Sequence, residues 1–227
     1  MKRFDIQIKS VGKQAVLVEW PNRIDDAILD DIIRFTDLIK RIEASELINY
    51  TPAYNSLLLH YQEEIHIEKK KKELLKVYNQ NENNDPITRN EWHIPVCYDP
   101  SFAPDLPLFE QKGMSAKEVI YNHTRDFYRV FMIGFLPGFL YLGKLCEELK
   151  MNRKSEPRLK VLKGSVGIAG SQTGIYPVDS PGGWQIIGRT PLSLFDITSE
   201  EPTPIRQGDN VCFYEIDLKT YQLLDSH

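Results

Sequence analysis

The sequence predicts an α+β protein built in two parts, a small N-terminal α+β sandwich and a C-terminal β-barrel or β-sandwich. Three observations carry this. Up to about residue 80, short strand patterns alternate with two helical periodicities. A polar stretch rich in turn formers, Asn79-Gln80-Asn81-Glu82-Asn83-Asn84-Asp85-Pro86, then interrupts the pattern. Beyond it, short β-runs recur between Gly and Pro residues, as in barrels and sandwiches. The expected division is an N-terminal domain over 1–80, a linker over 81–90 and a barrel domain over 91–227. The 227 residues suffice for two such domains, at roughly 100–200 residues per domain.

The elements follow in order. Residues 4–9 and 14–20 read as strands around a Gly12-Lys13 turn, a hairpin pattern. A helix is expected from Asp25 to Ala44. There Ile24, Ile28, Ile32, Phe35, Leu38, Ile39 and Ile42 recur at helical spacing, and Asp25 and Asp26 suit the positive end of the dipole. Two more strands flank Pro52, at 47–50 and 56–61. A second helix, 67–78, carries Leu74, Leu75 and Val77 on its apolar face and a run of four lysines, Lys69 to Lys72. That run reads as a solvated face or as a surface for an anionic partner. The order β-β-α-β-β-α implies helices on one face of an antiparallel sheet. In the second part, 92–98 reads as a strand. Ser115 followed by Glu118 forms a capping-box pattern that opens a helix to His123. Further β-runs are expected at 127–134, 161–169, 184–188, 192–197 and 210–216.

Composition excludes several classes. Apolar residues make up 41% and charged residues 26%, ordinary for a globular protein able to bury a core. The net charge of -4 gives no steering toward nucleic acid. Cys97, Cys146 and Cys212 form no CxxC pair and read as reduced thiols, and the five histidines show no metal-ligand spacing. No bound metal is expected. The N-terminus has no apolar signal region, and no run approaches the ~18 apolar residues of a membrane span. A cytoplasmic protein is the expectation.

Two segments attract attention as chemistry. Seven of the thirteen glycines fall between 164 and 188. Backbone N–H groups there, with the hydroxyls of Ser171, Thr173 and Ser180, the Gln172 amide and the Arg189 fork, can line a polar pocket. The same glycines can instead serve the tight turns of a barrel rim. The apolar run 129–143, broken by Gly134, Pro137 and Gly138, is either a sharply bent core strand or the aromatic wall of a crevice. Its Gly138–Leu145 stretch mimics a P-loop, but Leu145 replaces the magnesium-binding Ser/Thr. His123 is placed to act as a general base, or to be satisfied at its helix C-terminus. Arg158 is an anion clamp or a surface cation.

The runs GFLPGFLYLG (134–143), PR (157–158) and GSVGIAGSQTGIYPVDSPGGWQIIGRTPLSLFD (164–196) resemble the family of the 5-oxoprolinase B subunit and allophanate hydrolase subunit 1. TPAYNSLLLHY (51–61) and IPVCY (94–98) extend the likeness over nearly the whole chain. The family includes Kip-type (KipI-like) inhibitors of a sporulation histidine kinase and carries the carboxyltransferase-domain name. Where members commonly have Pro-Ala before the glycine run, this chain has Leu162-Lys163.

The resemblance implies a small N-terminal α+β domain and a cyclophilin-like β-barrel. It implies a non-autonomous hydrolase component that helps open 5-oxo-L-proline to L-glutamate, with ATP as co-substrate, accompanied by magnesium. The implied partners are a C-type subunit (allophanate hydrolase subunit 2-like) and an A-type subunit of the lactam-utilisation kind. By the same likeness, His123 would transfer a proton or orient substrate, and Arg158 and Arg189 would contact anions. Gln172, Thr173 and the Gly182-Gly183 turn would complete a substrate or nucleotide pocket. The competing expectations are a histidine-kinase inhibitor and a component of an enzyme that hydrolyses allophanate or another small amide.

Overall fold

The computed structural model describes residues 4–80 and 86–225. It divides into two compact units, one up to Thr88 and one from Arg89. Most of the polar stretch expected to link two domains, residues 81–85, lies outside the described residues. Among the described residues, no helix is long and apolar enough to cross a membrane.

The first unit runs β1 (Gln7–Val11), β2 (Ala15–Glu19), α1 (Asp26–Ile42), β3 (Leu47–Pro52), β4 (Ser56–Tyr61) and α2 (Ile67–Gln80). The sheet is antiparallel, in the order β1-β2-β4-β3. Alternation sends Val16, Val18, Leu57, Leu59 and Tyr61 to one face. There they meet Ile28, Ile32, Phe35 and Ile39 of α1 and Leu74 and Tyr78 of α2 in one cluster. Asp25 caps α1 by accepting the Ala27 N–H at 2.8 Å. The lysine run is largely paired: Lys70 reaches Glu43 at 3.2 Å and Glu46 at 3.0 Å, and Lys71 reaches Glu68 at 3.0 Å. That is the behaviour of a salt-bridged helix face.

A buried polar knot ties this unit together. The Asp31 carboxylate on α1 accepts the Trp20 indole N–H at 2.7 Å and the Tyr78 hydroxyl. The rings of Trp20, Phe35 and Tyr78 meet edge to face, 5.3–6.1 Å apart.

The second unit contains β5 (Glu91–Cys97), a 3-10 helix (Leu106–Lys112), α3 (Ala116–Thr124), β6 (Phe127–Ile133), β7 (Leu140–Gly143), a short 3-10 turn (Glu147–Leu149), β8 (Arg158–Val161), β9 (Ser165–Ala169), β10 (Gln172–Ile175), β11 (Ser180–Gly182), β12 (Gln185–Arg189), β13 (Asn210–Ile216) and α4 (Leu218–Asp225). Seven of these strands close a barrel in the order β10-β7-β6-β13-β5-β12-β9, while β8 and β11 form a separate ribbon. β5 and β13 run parallel and the remaining barrel pairs antiparallel. Ile94, Val96, Val130, Leu142, Val166, Ile168, Ile187, Val211 and Phe213 fill the interior. The capping box at α3 is present, with Ser115 and Glu118 bonded reciprocally.

The structure departs from the sequence pattern in three places. The run 161–169 is broken at Gly164, whose φ of +81° turns the chain from the ribbon into the barrel. The run 192–197 forms no strand. Pro191 has no N–H to give a ladder, and Asp196 folds onto the Thr198 N–H and hydroxyl in a local turn. Strands β7 and β10, too short and glycine-rich for an alternating pattern, complete the barrel, and α4 follows it.

Asp31→Ala is expected to lower the stability of the first unit by about 2–4 kcal/mol, because it strands two buried donors. Amide exchange in β2 and β4 under native conditions reads this directly. Protection there equal to wild type would refute the role of the knot.

Candidate functional site

Asp105 sits at the start of the first 3-10 helix and is only 3% exposed. Its N–H donates to the Ile186 carbonyl at 3.0 Å, and its Oδ2 accepts the Ile186 N–H at 2.6 Å. Oδ1 accepts Arg158 Nη2 at 2.7 Å and Lys154 Nζ at 3.2 Å. Burial pushes this carboxyl up, but the bonds from Arg158, Ile186 and Lys154 outweigh it and hold the group below the usual carboxylate range. Asp105 thereby fixes the start of β12 and the segment ahead of β8.

That segment is held at three points. Gly170 N–H donates to the Met151 carbonyl at 2.7 Å, Gln185 Nε2 to the Asn152 carbonyl at 2.9 Å, and Lys154 N–H to the Gly183 carbonyl at 2.8 Å. Between these ties, the Arg153 guanidinium lies 5.8 Å from the Trp184 ring centre. A cleft of about 560 Å³ opens here, at the barrel end where β9 turns into β10. Lys112, Lys150, Asn152, Arg153, Ser171 and Gln185 line it. Lys112 Nζ is bonded to the Lys150 carbonyl at 2.7 Å, and Lys150 pairs with Glu147. Arg153 is exposed and has no carboxylate partner among the described residues. Gln185 is 7% exposed, and its buried Oε1 has no partner among the described residues. The amide orientation is fixed, since a backbone carbonyl can only accept.

The residues singled out from sequence do not converge. His123 is fully buried in the barrel and stacks on Phe213 with ring centres 4.5 Å apart. Its Nδ1 lies 2.7 Å from the Tyr98 hydroxyl and its Nε2 2.8 Å from Thr173 Oγ1. Thr173 in turn donates to the Gly167 carbonyl at 3.1 Å. The direction of that last bond makes the ring an Nε2–H donor and an Nδ1 acceptor, so Tyr98 donates to it. Both His123 and Thr173, expected at a ligand, face the core, with their polar atoms bonded within it.

Arg158 is committed to Asp105. Arg189 donates Nε–H to the Lys163 carbonyl at 2.8 Å, and its guanidinium lies 5.5 and 5.8 Å from the ring centres of Phe102 and Tyr221. Gly182 is required where it stands, because a Cβ there would fall 2.3 Å from the Tyr176 hydroxyl, whereas Gly183 has room. Gln172 lies on the strand face opposite Thr173, with a buried Nε2 that has no partner among the described residues. Lys163, the departure ahead of the glycine run, turns onto Ser193 Oγ at 3.1 Å.

The glycine run is largely consumed by packing. A Cβ would fall 2.3 Å from the Thr190 carbonyl oxygen at Gly164, and 2.6 Å from that of Leu140 at Gly174. These are close strand approaches inside a barrel wall, which supply no open phosphate cradle. Sequence reasoning missed Asp105, Arg153 and Gln185 as site residues. The last stands inside the PGGWQ stretch, but nothing in the linear pattern shows which polar groups remain unpaired. Among the described residues, no His/Cys/Asp/Glu cluster is arranged to hold a metal.

Burial pushes the His123 pKa down to about 3. The neutral ring therefore contributes fully above about pH 6.5, the unfolded value. As pH falls toward about 3, the unfolded chain takes up a proton that the folded barrel refuses, so stability is lost across that window at up to ~1.4 kcal/mol per pH unit. Urea unfolding at several pH values should show this slope in wild type and its reduction in His123→Gln. An equal slope in both would refute the assignment. Asp105→Asn is expected to cost the barrel unit roughly 2–4 kcal/mol by leaving two half-buried cations uncompensated and weakening the tie to the Ile186 N–H. A urea midpoint unchanged from wild type would count against the tie.

The family model for the carboxyltransferase domain, subdomain C and D, matches residues 6–205. A 5-oxoprolinase B subunit of Bacillus subtilis (strain 168) is 35% identical over 227 residues, covering 95% of each chain. The 5-oxoprolinase B subunit of Escherichia coli O157:H7 is 51% identical over 121 residues, 53% of this chain and 56% of that protein. The crystal structure of TTHA0988 superposes with a TM-score of 0.76 at 29% identity, covering 90% of this chain and 40% of that one. With the family matched along most of its length and a relative this similar across both chains, the protein belongs to the carboxyltransferase-domain (subdomain C and D) family that includes the B subunit of 5-oxoprolinase.

Proposed function

We propose that this chain is the B-type subunit of an ATP-dependent 5-oxoprolinase, opening 5-oxo-L-proline to L-glutamate together with a C-type subunit and an A-type subunit of the lactam-utilisation kind. The observation that carries the reading is the 35% identity to a protein named as the B subunit of 5-oxoprolinase over 95% of both chains. The reading places the chain in the cytoplasm, where ATP is available.

The chemistry explains the need for ATP. A lactam is resonance-stabilised, and its nitrogen is a poor leaving group. Attack of the lactam oxygen on the γ-phosphorus releases ADP and leaves a carbon activated by O-phosphorylation. Water adds to that carbon, the C–N bond breaks with proton transfer to nitrogen, and an acyl phosphate remains. A second water releases phosphate and glutamate. Each stage develops negative charge that needs fixed donors. We assign ATP and its magnesium to a partner protein, because five of the seven glycines between 164 and 188 are packed closely against neighbouring atoms, leaving Gly170 and Gly183 alone in that run with room beside them.

The test is reconstitution. ATP turnover and glutamate formation from 5-oxo-L-proline are measured with this chain alone, with the two partners alone, and with all three. Glutamate is expected only from all three. Full activity of the partners without this chain would overturn the proposal and favour a kinase-inhibitor role, which binding to a histidine kinase would then reveal.

A further inference from the structure

The cleft at the β9–β10 end of the barrel combines two unpaired groups of opposite character. Arg153 is a cation with no carboxylate partner among the described residues; its guanidinium lies 5.8 Å from the Trp184 ring centre, and hydrogen bonds hold the backbone of its neighbours Asn152 and Lys154. Gln185 is more than nine-tenths buried, lines the cleft and keeps an unpartnered Oε1. A buried acceptor left without a donor costs free energy comparable to a lost hydrogen bond. A ligand that offers an N–H to Oε1 and an anion to the guanidinium satisfies both.

We infer that this cleft binds a small carboxylate bearing a neighbouring amide or ureido N–H, the carboxylate on Arg153 and the N–H on Gln185 Oε1. A guanidinium free of any carboxylate partner can present its fork to a planar carboxylate. The remaining cations do not compete for that role, since Lys112 is bonded to a carbonyl and Lys150 to Glu147. A phosphate fits less well, because it is acceptor-rich at neutral pH and would set oxygen against oxygen at Gln185. Simple inorganic anions lack the N–H. Two chemistries share the required pair: a lactam carboxylate such as 5-oxoproline, and an acyclic ureido carboxylate of the allophanate type. The inference deepens the amide-hydrolase reading and rests on it for the choice of these two probes.

The experiment is a calorimetric titration of the full chain with 5-oxo-L-proline and with N-carbamoylglycine, a stable ureido carboxylate. Saturable binding of at least one is expected, and the tighter of the two identifies the source. The N-methyl derivative of the tighter ligand, methylated at every amide or ureido N–H, is expected to lose roughly tenfold or more in affinity, and so is its counterpart without the carboxylate, 2-pyrrolidinone for the lactam and methylurea for the ureido acid. Arg153→Met, at an exposed position, should lose carboxylate recognition by a similar factor, while Lys160→Ala, in a surface pair with Asp179, should not. Gln185→Met removes the acceptor but also the tie to Asn152, so the N-methyl ligand is the reading that does not depend on folding. Absence of saturable binding, equal affinity for the N-methyl ligand, or unchanged affinity in Arg153→Met would each overturn the inference. Binding with these selectivities but no glutamate from the reconstituted enzyme would leave the cleft assignment standing and remove the 5-oxoprolinase reading.

Discussion

The cleft depends on a carboxylate that does not line it. Asp105 receives the Ile186 N–H, Arg158 and Lys154. Ile186 is the residue after Gln185, and Lys154 the residue after Arg153. One buried group thus sets the backbone beside both unpaired polar side chains. Removing a charge from water is costly, and only several short bonds to cations and N–H groups make it sustainable. That cost is tolerable when the geometry it fixes has a use, since a binding group loses affinity if it must be ordered anew for each ligand. Arg158, read from the sequence as an anion clamp or a surface cation, holds an anion of the protein itself.

The barrel interior follows the same rule. Tyr98, His123, Thr173 and the Gly167 carbonyl form a continuous chain of donors and acceptors across the core, each polar atom satisfied by the next. A neutral imidazole is well suited to such a chain because it donates from one nitrogen and accepts at the other. The network joins the residue after β5 to α3, β10 and β9, elements far apart in sequence. The glycines around it allow strands to approach where a methyl group would collide with a carbonyl. Features that look catalytic in a linear reading, a histidine near a glycine-rich loop, are thereby absorbed into closing a small barrel.

Much of the fold was legible because it is local. Ile28, Ile32, Phe35 and Ile39 mark a helix by spacing alone, and Ser115 with Glu118 marks another by its cap. Strands β7 and β10 were not legible, since four residues containing glycine carry too little alternation. The run 192–197 has a strand-like composition, and its outcome was decided by Pro191 and the Asp196 turn. The site was least legible of all. Arg153, Arg158 and Arg189 are chemically identical in the sequence. What distinguishes them is tertiary: one is held by a carboxylate, one lies over aromatic rings with its Nε–H on a carbonyl, and one faces a cleft without an anion.

That distinction also bears on why a protein of this family would work with partners. A cleft offering one fixed cation and one acceptor can choose and orient a small amide, but orientation alone supplies only part of amide hydrolysis. Proton transfer near neutral pH needs a group poised to titrate there, and burial has taken His123 far below that range. Activation of the carbonyl needs donors to phosphate, and most glycines of the 164–188 run are taken up by close packing. The proposed division, with substrate presented by this chain and nucleotide and acid–base groups brought by others, follows the lines these residues allow.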